Sequence, residues 1–432
     1  MSMTNAAWQR SGSPSVDRHA AMAALRAIAE ALEVPVDVVG EGRPADHAIN
    51  LSDGSAGTAL LFAYLAKASE AEPALGDATR WADAASAHLD HAIDGASTIE
   101  LQAGLSAGFT GVAWAMAHVG RMLDLDVEIP GSLDHAVRAL VTAGRAPVGF
   151  DLISGVVGFG AYFLERLPDT DAEHALHEIV DHLATTAHRD RVGLAWPTTP
   201  DLVTNARRSE FPNGYVDLGL AHGMAGVIAF LASAYDAGVA MRTSRELLEG
   251  AVGSLLVREC TDGGFPWAHA ADAVPCPARL AWCYGDPGIA LALLRAGRSL
   301  DRPAWLNKAH ALLLRVTQRA PDESGVADAC LCHGSAGLLH ILRRAQQTLA
   351  DPALGEAVRY WTGVTLAMRD HAVEPAIAGY GALVREAGIS RWQAERGLLN
   401  GAAGVGLALL PVVSALDPAW DRALLLSNAN PT

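Results

Sequence analysis

The sequence is short of basic residues, of strand signals and of long apolar runs, and each shortage removes a class of protein. Lys and Arg together number 32 against 48 Asp and Glu, a formal charge of −16. Nucleic-acid binders need a basic face to displace counterions, so no nucleic-acid partner is expected. The acidic balance favours solubility and also suits a cationic peptide partner, whose approach it would speed. No apolar stretch reaches the ~20 residues of a membrane span. Residues 1–16 are polar and carry no signal-peptide core, so a cytoplasmic protein with a flexible N-terminus and no membrane span is expected. Aromatic residues make up only 6%, whereas half of the chain is hydrophobic, mostly through Ala, Leu and Val, which reads as a helix-rich fold with a large core. Cysteine is scarce as well: Cys260, Cys276, Cys283, Cys330 and Cys332 all fall in one stretch. In a reducing compartment that clustering points to a metal or to catalysis rather than to disulfides.

What the chain does have is a repeat. Seven Gly-x-x-Gly pairs open at Gly54, Gly108, Gly155, Gly223, Gly285, Gly334 and Gly401, and an apolar run follows each. Helices that are apolar nearly all round are buried ones. A more amphipathic helix precedes each pair, over 17–33, 78–92, 134–143, 172–187, 243–258, 303–319 and 352–369. An amphipathic helix outside and an apolar helix inside, seven times over, predicts an all-α, closed double ring rather than an open solenoid with polar end caps. The length alone would suggest two or three domains, but repeats grow as one unit. One domain over 17–416 is therefore expected, with a C-terminal tail over 417–432. Long connections at 189–217 and 259–281 run into motif-bearing helix starts and are expected to frame the mouth of the ring.

Three of the helix starts carry groups able to share a zinc ion. Cys283 stands in Trp282-Cys283-Tyr284-Gly285, Cys332 and His333 stand directly before Gly334, and His222 stands before Gly223. Thiolates and imidazole suit Zn²⁺, and an open coordination position reads as catalytic. The plain alternative for Cys283 is a small buried hydrophobe. His222 could be a ligand, a general acid/base or an interior histidine. Asp151, ahead of Gly155, could orient an imidazole or only cap a helix. Arg279 could assist chemistry or anchor a loop. Cys330 competes with Cys332 but lies further from the glycine, so Cys332 is preferred.

Taken together, the Trp282–Gly285, Cys332-His333-Gly334 and Leu220-Ala221-His222-Gly223 motifs resemble those of the lanthionine synthetase C-like family, the cyclases of lanthipeptide synthesis. The resemblance spans roughly residues 17–416. It implies an (α/α)7 toroid of seven inner and seven outer helices. It further implies Cys283, Cys332 and His333 as ligands of Zn²⁺. His222 would be the catalytic histidine and Asp151 its partner, with Arg279 and Tyr284 in catalysis and Trp282 lining the cavity together with Tyr284. The implied substrate is a dehydrated precursor peptide, leader plus core, supplied by a dehydratase and passed to a transporter. Rival readings are a zinc-dependent thiol-alkylating enzyme of prenyltransferase type, an (α/α) carbohydrate-active enzyme and a non-catalytic zinc-bearing peptide- or glutathione-binding toroid.

Overall fold

Two kinds of helix alternate along the chain, and they begin differently. The amphipathic set is α1 (Arg18–Leu32), α3 (Ala78–Thr98), α5 (Gly131–Thr142), α7 (Thr170–Thr186), α9 (Met241–Leu256), α11 (Pro303–Gln318) and α13 (Pro352–Asp370). The buried set is α2 (Ser55–Ala71), α4 (Phe109–Leu123), α6 (Val156–Arg166), α8 (Met224–Asp236), α10 (Asp286–Ser299), α12 (Ser335–Leu349) and α14 (Ala402–Leu409). This computed structural model describes residues 17–37, 44–142, 149–189, 193–205, 207–270, 278–370, 374–386 and 389–427. The expected flexible segment 1–16, the end of the expected tail and Cys276 lie outside the described residues. Among the described residues the fold is all-α, as expected, with seven helices of each kind.

Side-chain caps start four of the amphipathic helices. Asp17, Asp77, Asp169 and Asp351 accept the first free N–H groups of α1, α3, α7 and α13, at 2.8 Å in each case. The buried helices start on glycine and have no side-chain cap. Their exposed N–H groups cannot go unpaired in a core. The turn before each helix curls back and supplies its own carbonyls: Val156 N donates to Gly149 O (2.9 Å), Ser335 N to Asp328 O (2.9 Å) and Ala402 N to Glu395 O (3.0 Å). That curl presses the turn onto the helix. A Cβ on the second glycine of the motif, as at Gly337 or Gly404, would collide with the carbonyl of Leu331 or Leu398. Helix α3 runs past its expected end near residue 92 to Thr98, and Gly95 in this extension lies under Ile49, where a larger residue would clash.

The described residues form two compact units. Unit 1 comprises those of Met1–Pro130 and Ala320–Trp420, and unit 2 those of Gly131–Arg319 and Asp421–Thr432. In unit 1, α14 packs against α1, α2 and α12. Within this unit the last repeat therefore neighbours the first. In unit 2, α8 packs between α6 and α10, backed by α9. Large side chains fill both interiors: Phe62, Trp81 and Trp114 in unit 1, Phe159, Phe163, Phe230 and Trp282 in unit 2 are each at most 2% exposed. Burial of each is worth about 1.5–3 kcal/mol.

Backbone bonds stitch neighbouring helix starts together. In unit 1, Ser52 N donates to Ser106 O (3.1 Å), Leu399 N to Ser52 O (2.8 Å) and Cys332 N to Leu399 O (2.9 Å). In unit 2, Leu152 N donates to Ala221 O (3.1 Å) and Leu220 N to Cys283 O (3.0 Å). Three short antiparallel strand pairs lie in the long connections: β1 (His188–Arg189) with β2 (Leu194–Ala195), β3 (Val216–Asp217) with β4 (Ala268–His269), and β5 (Ala382–Glu386) with β6 (Ile389–Gln393). The β3–β4 pair joins the two connections that were expected to frame the site.

Candidate active site and metal ligands

The residue immediately before the first glycine of each motif occupies one structural slot. In unit 2 that slot holds Ser154, His222 and Tyr284, and in unit 1 it includes His333. The slot before it holds Ala221 and Cys283 in unit 2, and Cys332 in unit 1. Because the turns are hydrogen-bonded to one another within each unit, side chains from equivalent slots of neighbouring repeats come close together.

In unit 2 this brings together His222 and Asp151. His222 Nδ1 and Asp151 Oδ2 are 2.7 Å apart, and since a carboxylate only accepts, Nδ1–H donates and Nε2 is left to face a substrate. Asp151 is fixed in turn by Ser154, whose N–H donates to Oδ1 at 2.8 Å and whose hydroxyl lies 3.2 Å from the same oxygen. Thus Asp151 both orients the imidazole and caps its own turn. Burial opposes the charged imidazole, yet the hydrogen bond and charge of Asp151, with Asp217 and Cys283, hold the His222 pKa above its ordinary value. Tyr284 stacks on the imidazole, with ring centroids 6.0 Å apart and planes inclined by 26°.

Arg279, in the same unit, is half-buried and makes no hydrogen bond or ion pair with His222 or Asp151. Its carbonyl lies where a Cβ on Gly285 would fall, and Gly285 has φ +109°, a conformation that glycine tolerates and other residues resist. Trp282 is buried in the core and does not line a cavity. It is 1% exposed, and its Nε1–H donates to Leu424 O at 3.1 Å, so it anchors the C-terminal segment to the core. Cys283 is 4% exposed.

Sequence reasoning missed three residues around His222 and Tyr284. Asp217, at the end of β3, is 1% exposed, and burial pushes its carboxyl up to about 6. Its Oδ1 accepts Gly219 N at 2.8 Å, while Oδ2 is buried without a hydrogen-bond partner. Arg207 and Trp267 come from the two long connections, with the guanidinium carbon 4.3 Å from the indole centroid. A signal for Asp217 existed: it stands six residues before Gly223, as Asp328 stands six before Gly334, and both carboxylates accept the N–H two residues on.

In unit 1, Cys332 and His333 are half-buried, and Cys330 is buried. None of Cys260, Cys283, Cys330 and Cys332 is in a disulfide. His333 Nδ1 is buried without a hydrogen-bond partner, as a metal-binding nitrogen would be before it takes its ion. One Cys/His/Asp group in this unit could hold a metal, since ligand atoms of Asp328, Cys330 and His333 all lie within 4.8 Å of one another. Both carboxylate oxygens of Asp328 are already engaged, Oδ1 by Cys330 N (3.1 Å) and Oδ2 by Leu383 N of β5 (2.9 Å). Asp328 is thereby committed to holding the turn. The sulfur and imidazole donors, with the orphaned Nδ1, fit a zinc ion.

Comparison with known proteins agrees with this architecture. The family model of lanthionine synthetase C-like proteins matches residues 46–425. The chain belongs to the lanthionine synthetase C-like family. It is 25% identical over 276 residues to the nisin biosynthesis protein NisC of Lactococcus lactis subsp. lactis, covering 59% of this chain and 65% of that protein. The match thus spans just under two thirds of the relative's length. The solved structure of nisin cyclase superposes with a TM-score of 0.69 at 22% identity, over 88% of this chain and 92% of that one. An unsaturated glucuronyl hydrolase from Streptococcus agalactiae superposes with a TM-score of 0.52 at 12% identity, over 97% and 98% of the two chains. At such identities the two structures show a shared helical fold and no more.

Proposed function

We propose that this protein is a zinc-dependent lanthionine cyclase, which closes thioether rings in a dehydrated precursor peptide. The observation that carries this reading is the 2.7 Å bond between His222 and Asp151, set on the same series of helix starts as Cys283. Family membership and the likeness to nisin cyclase support it. Cys283, Cys332 and His333 are the proposed ligands of Zn²⁺, chosen for their donor chemistry and equivalent slots. Bound there, the ion would supply the means to lower the pKa of a peptide cysteine thiol near neutral pH.

The chain's own residues account for the remaining steps. In ring closure the peptide thiolate adds to the β-carbon of a dehydroalanine or dehydrobutyrine. A C–S bond forms, the C=C π bond becomes an enolate, and the α-carbon must then take a proton. His222 supplies that proton from Nε2. Its raised pKa favours the protonated form, and Asp151 stabilises the imidazolium and fixes its direction. Tyr284 walls one face of the imidazole and limits its rotation. Arg279 is the proposed partner for negative charge on the enolate oxygen. The domain is proposed to act as one unit over 17–416, in the reducing cytoplasm, receiving peptide from a dehydratase and passing it towards a transporter.

Mass-spectrometric thiol alkylation of a dehydrated Ser/Thr/Cys-rich precursor tests the reading. Cyclisation removes free thiols without a change of mass, so the wild-type product should resist N-ethylmaleimide. The C283A product should accept one adduct per cysteine. A C283A protein that keeps its zinc and full activity would overturn the ligand assignment.

A further inference from the structure

The connection between β2 and β3 carries a cation, Arg207, that faces Trp267 and Tyr284 and that the mechanism leaves unused. Arg207 sits on a tight turn, its N–H donating to Thr204 O at 2.9 Å and its carbonyl accepting Phe211 N at 2.9 Å. Its guanidinium carbon lies 4.3 Å from the Trp267 centroid. Trp267 meets Tyr284 edge-on (5.8 Å, 80°), and Tyr284 in turn stacks on His222 (6.0 Å). Phe211 and Tyr215 close the other sides of Trp267 at 5.3 and 5.5 Å.

From this series of contacts, and building on the cyclase reading, we propose that Arg207 is a positioning residue. Acting through Trp267 and Tyr284, it holds the ring that packs on His222. Stacking on Trp267 alone would make Arg207 an ordinary cation–π contact. Two further contacts point beyond that. The hydroxyls of Tyr215 and Tyr284 favour the charged guanidinium against the cost of its burial. A planar fork of donors can span two hydroxyls while stacked on an indole, whereas a lysine ammonium can stack but not span. The clamp also ties the 189–217 and 259–281 connections to Tyr284, at the start of α10. Freed of it, Tyr284 could turn away from the imidazole, and His222 would sample directions unsuited to proton delivery.

The test compares full-length wild type with Arg207→Met, Arg207→Lys, Tyr284→Phe and the Met/Phe double variant. The first readout needs no substrate: the rate at which diethyl pyrocarbonate labels His222, mapped by mass spectrometry against exposed His135. Arg207→Met should raise labelling of His222 roughly threefold or more with His135 unchanged, as local opening predicts. Tyr284→Phe should do the same, and the double variant should add little, because both changes break one clamp. The second readout is cyclisation of a synthetic peptide with one dehydroalanine and one cysteine. In Arg207→Met, kcat should fall roughly tenfold while KM changes by less than about twofold. Unchanged labelling in Arg207→Met, additive effects in the double variant, or full rescue by Arg207→Lys would each overturn the proposal. Should the wild type fail to cyclise the peptide, the cyclase reading falls, and the labelling comparison still decides whether Arg207 positions Tyr284.

Discussion

His222 Nδ1 donates to Asp151 Oδ2 at 2.7 Å, and the two residues belong to neighbouring repeats whose turns are also tied by Leu152 N to Ala221 O at 3.1 Å. The backbone bond fixes the separation of the turns, so the side-chain bond forms without ordering two free chains. A pair preorganised in this way loses little entropy when it acts.

Asp151→Asn leaves an oxygen to accept Ser154 N but turns an amide N–H towards His222 Nδ1, so the imidazole proton moves to Nε2 and its positive charge loses support. Cyclisation should slow by roughly 10²–10⁴-fold, with the melting temperature nearly unchanged. Kinetics by mass spectrometry and thermal scans on the same sample check this. An unaltered rate would remove Asp151 from the mechanism.

Cys332→Ala and His333→Ala should reduce zinc to trace amounts, while Cys330→Ala should keep about one ion per chain. The reason is local: Asp328, which completes the competing group with Cys330, spends both oxygens on backbone N–H groups. Metal analysis of the purified proteins decides. Loss of zinc in Cys330→Ala alone would move the site to the Asp328 group.

Two buried groups should drive stability in opposite directions with pH. His88 is buried, and loss of hydration lowers its pKa to about 4, so it stays neutral when folded. Its contribution is complete above about pH 6.5 and is lost as pH falls towards 4, on the order of 3 kcal/mol. The carboxyl of Asp217 is raised to about 6. Its contribution is complete below the unfolded value near 4 and is lost as pH rises through 6, on the order of 3 kcal/mol. Urea denaturation from pH 4 to pH 7 should show the acid slope flattened in His88→Gln. Asp217→Asn should be more stable than wild type above pH 6. Slopes unaffected by either substitution would contradict the assignments.

Gly337→Ala would drive a methyl group into the Leu331 carbonyl, within the turn that carries Cys332 and His333. A backbone collision cannot relax by rotating a side chain, so a loss of roughly 2–4 kcal/mol is expected. Calorimetry measures it, and zinc retention should fall in parallel. A variant as stable as wild type would mean that the turn can shift at little cost.

Much of the fold was legible because its signals are local. Helix periodicity, aspartate caps and glycine starts depend on residues within a turn or two of one another, and the seven buried helices begin where the glycine pairs place them. The pairing of His222 with Asp151 was expected from the family resemblance, since no spacing rule links residues 71 apart in sequence. Arg207 and Trp267 were not found because they lie in connections with no periodicity. Asp217 could have been found from the aspartate it shares with the Gly334 repeat.

By itself the sequence determined the helix starts, the alternation of amphipathic and buried helices, and which slots carry sulfur and imidazole, all of them short-range matters of spacing and hydrophobicity. Only the tertiary structure decided which slots meet. It made Asp151 a partner of His222 and not a cap alone, buried Trp282 in the core instead of in a cavity wall, and left the Nδ1 of His333 without a hydrogen-bond partner. Those outcomes depend on long-range packing, where each group's surroundings come from other repeats and loops, and no local pattern encodes them.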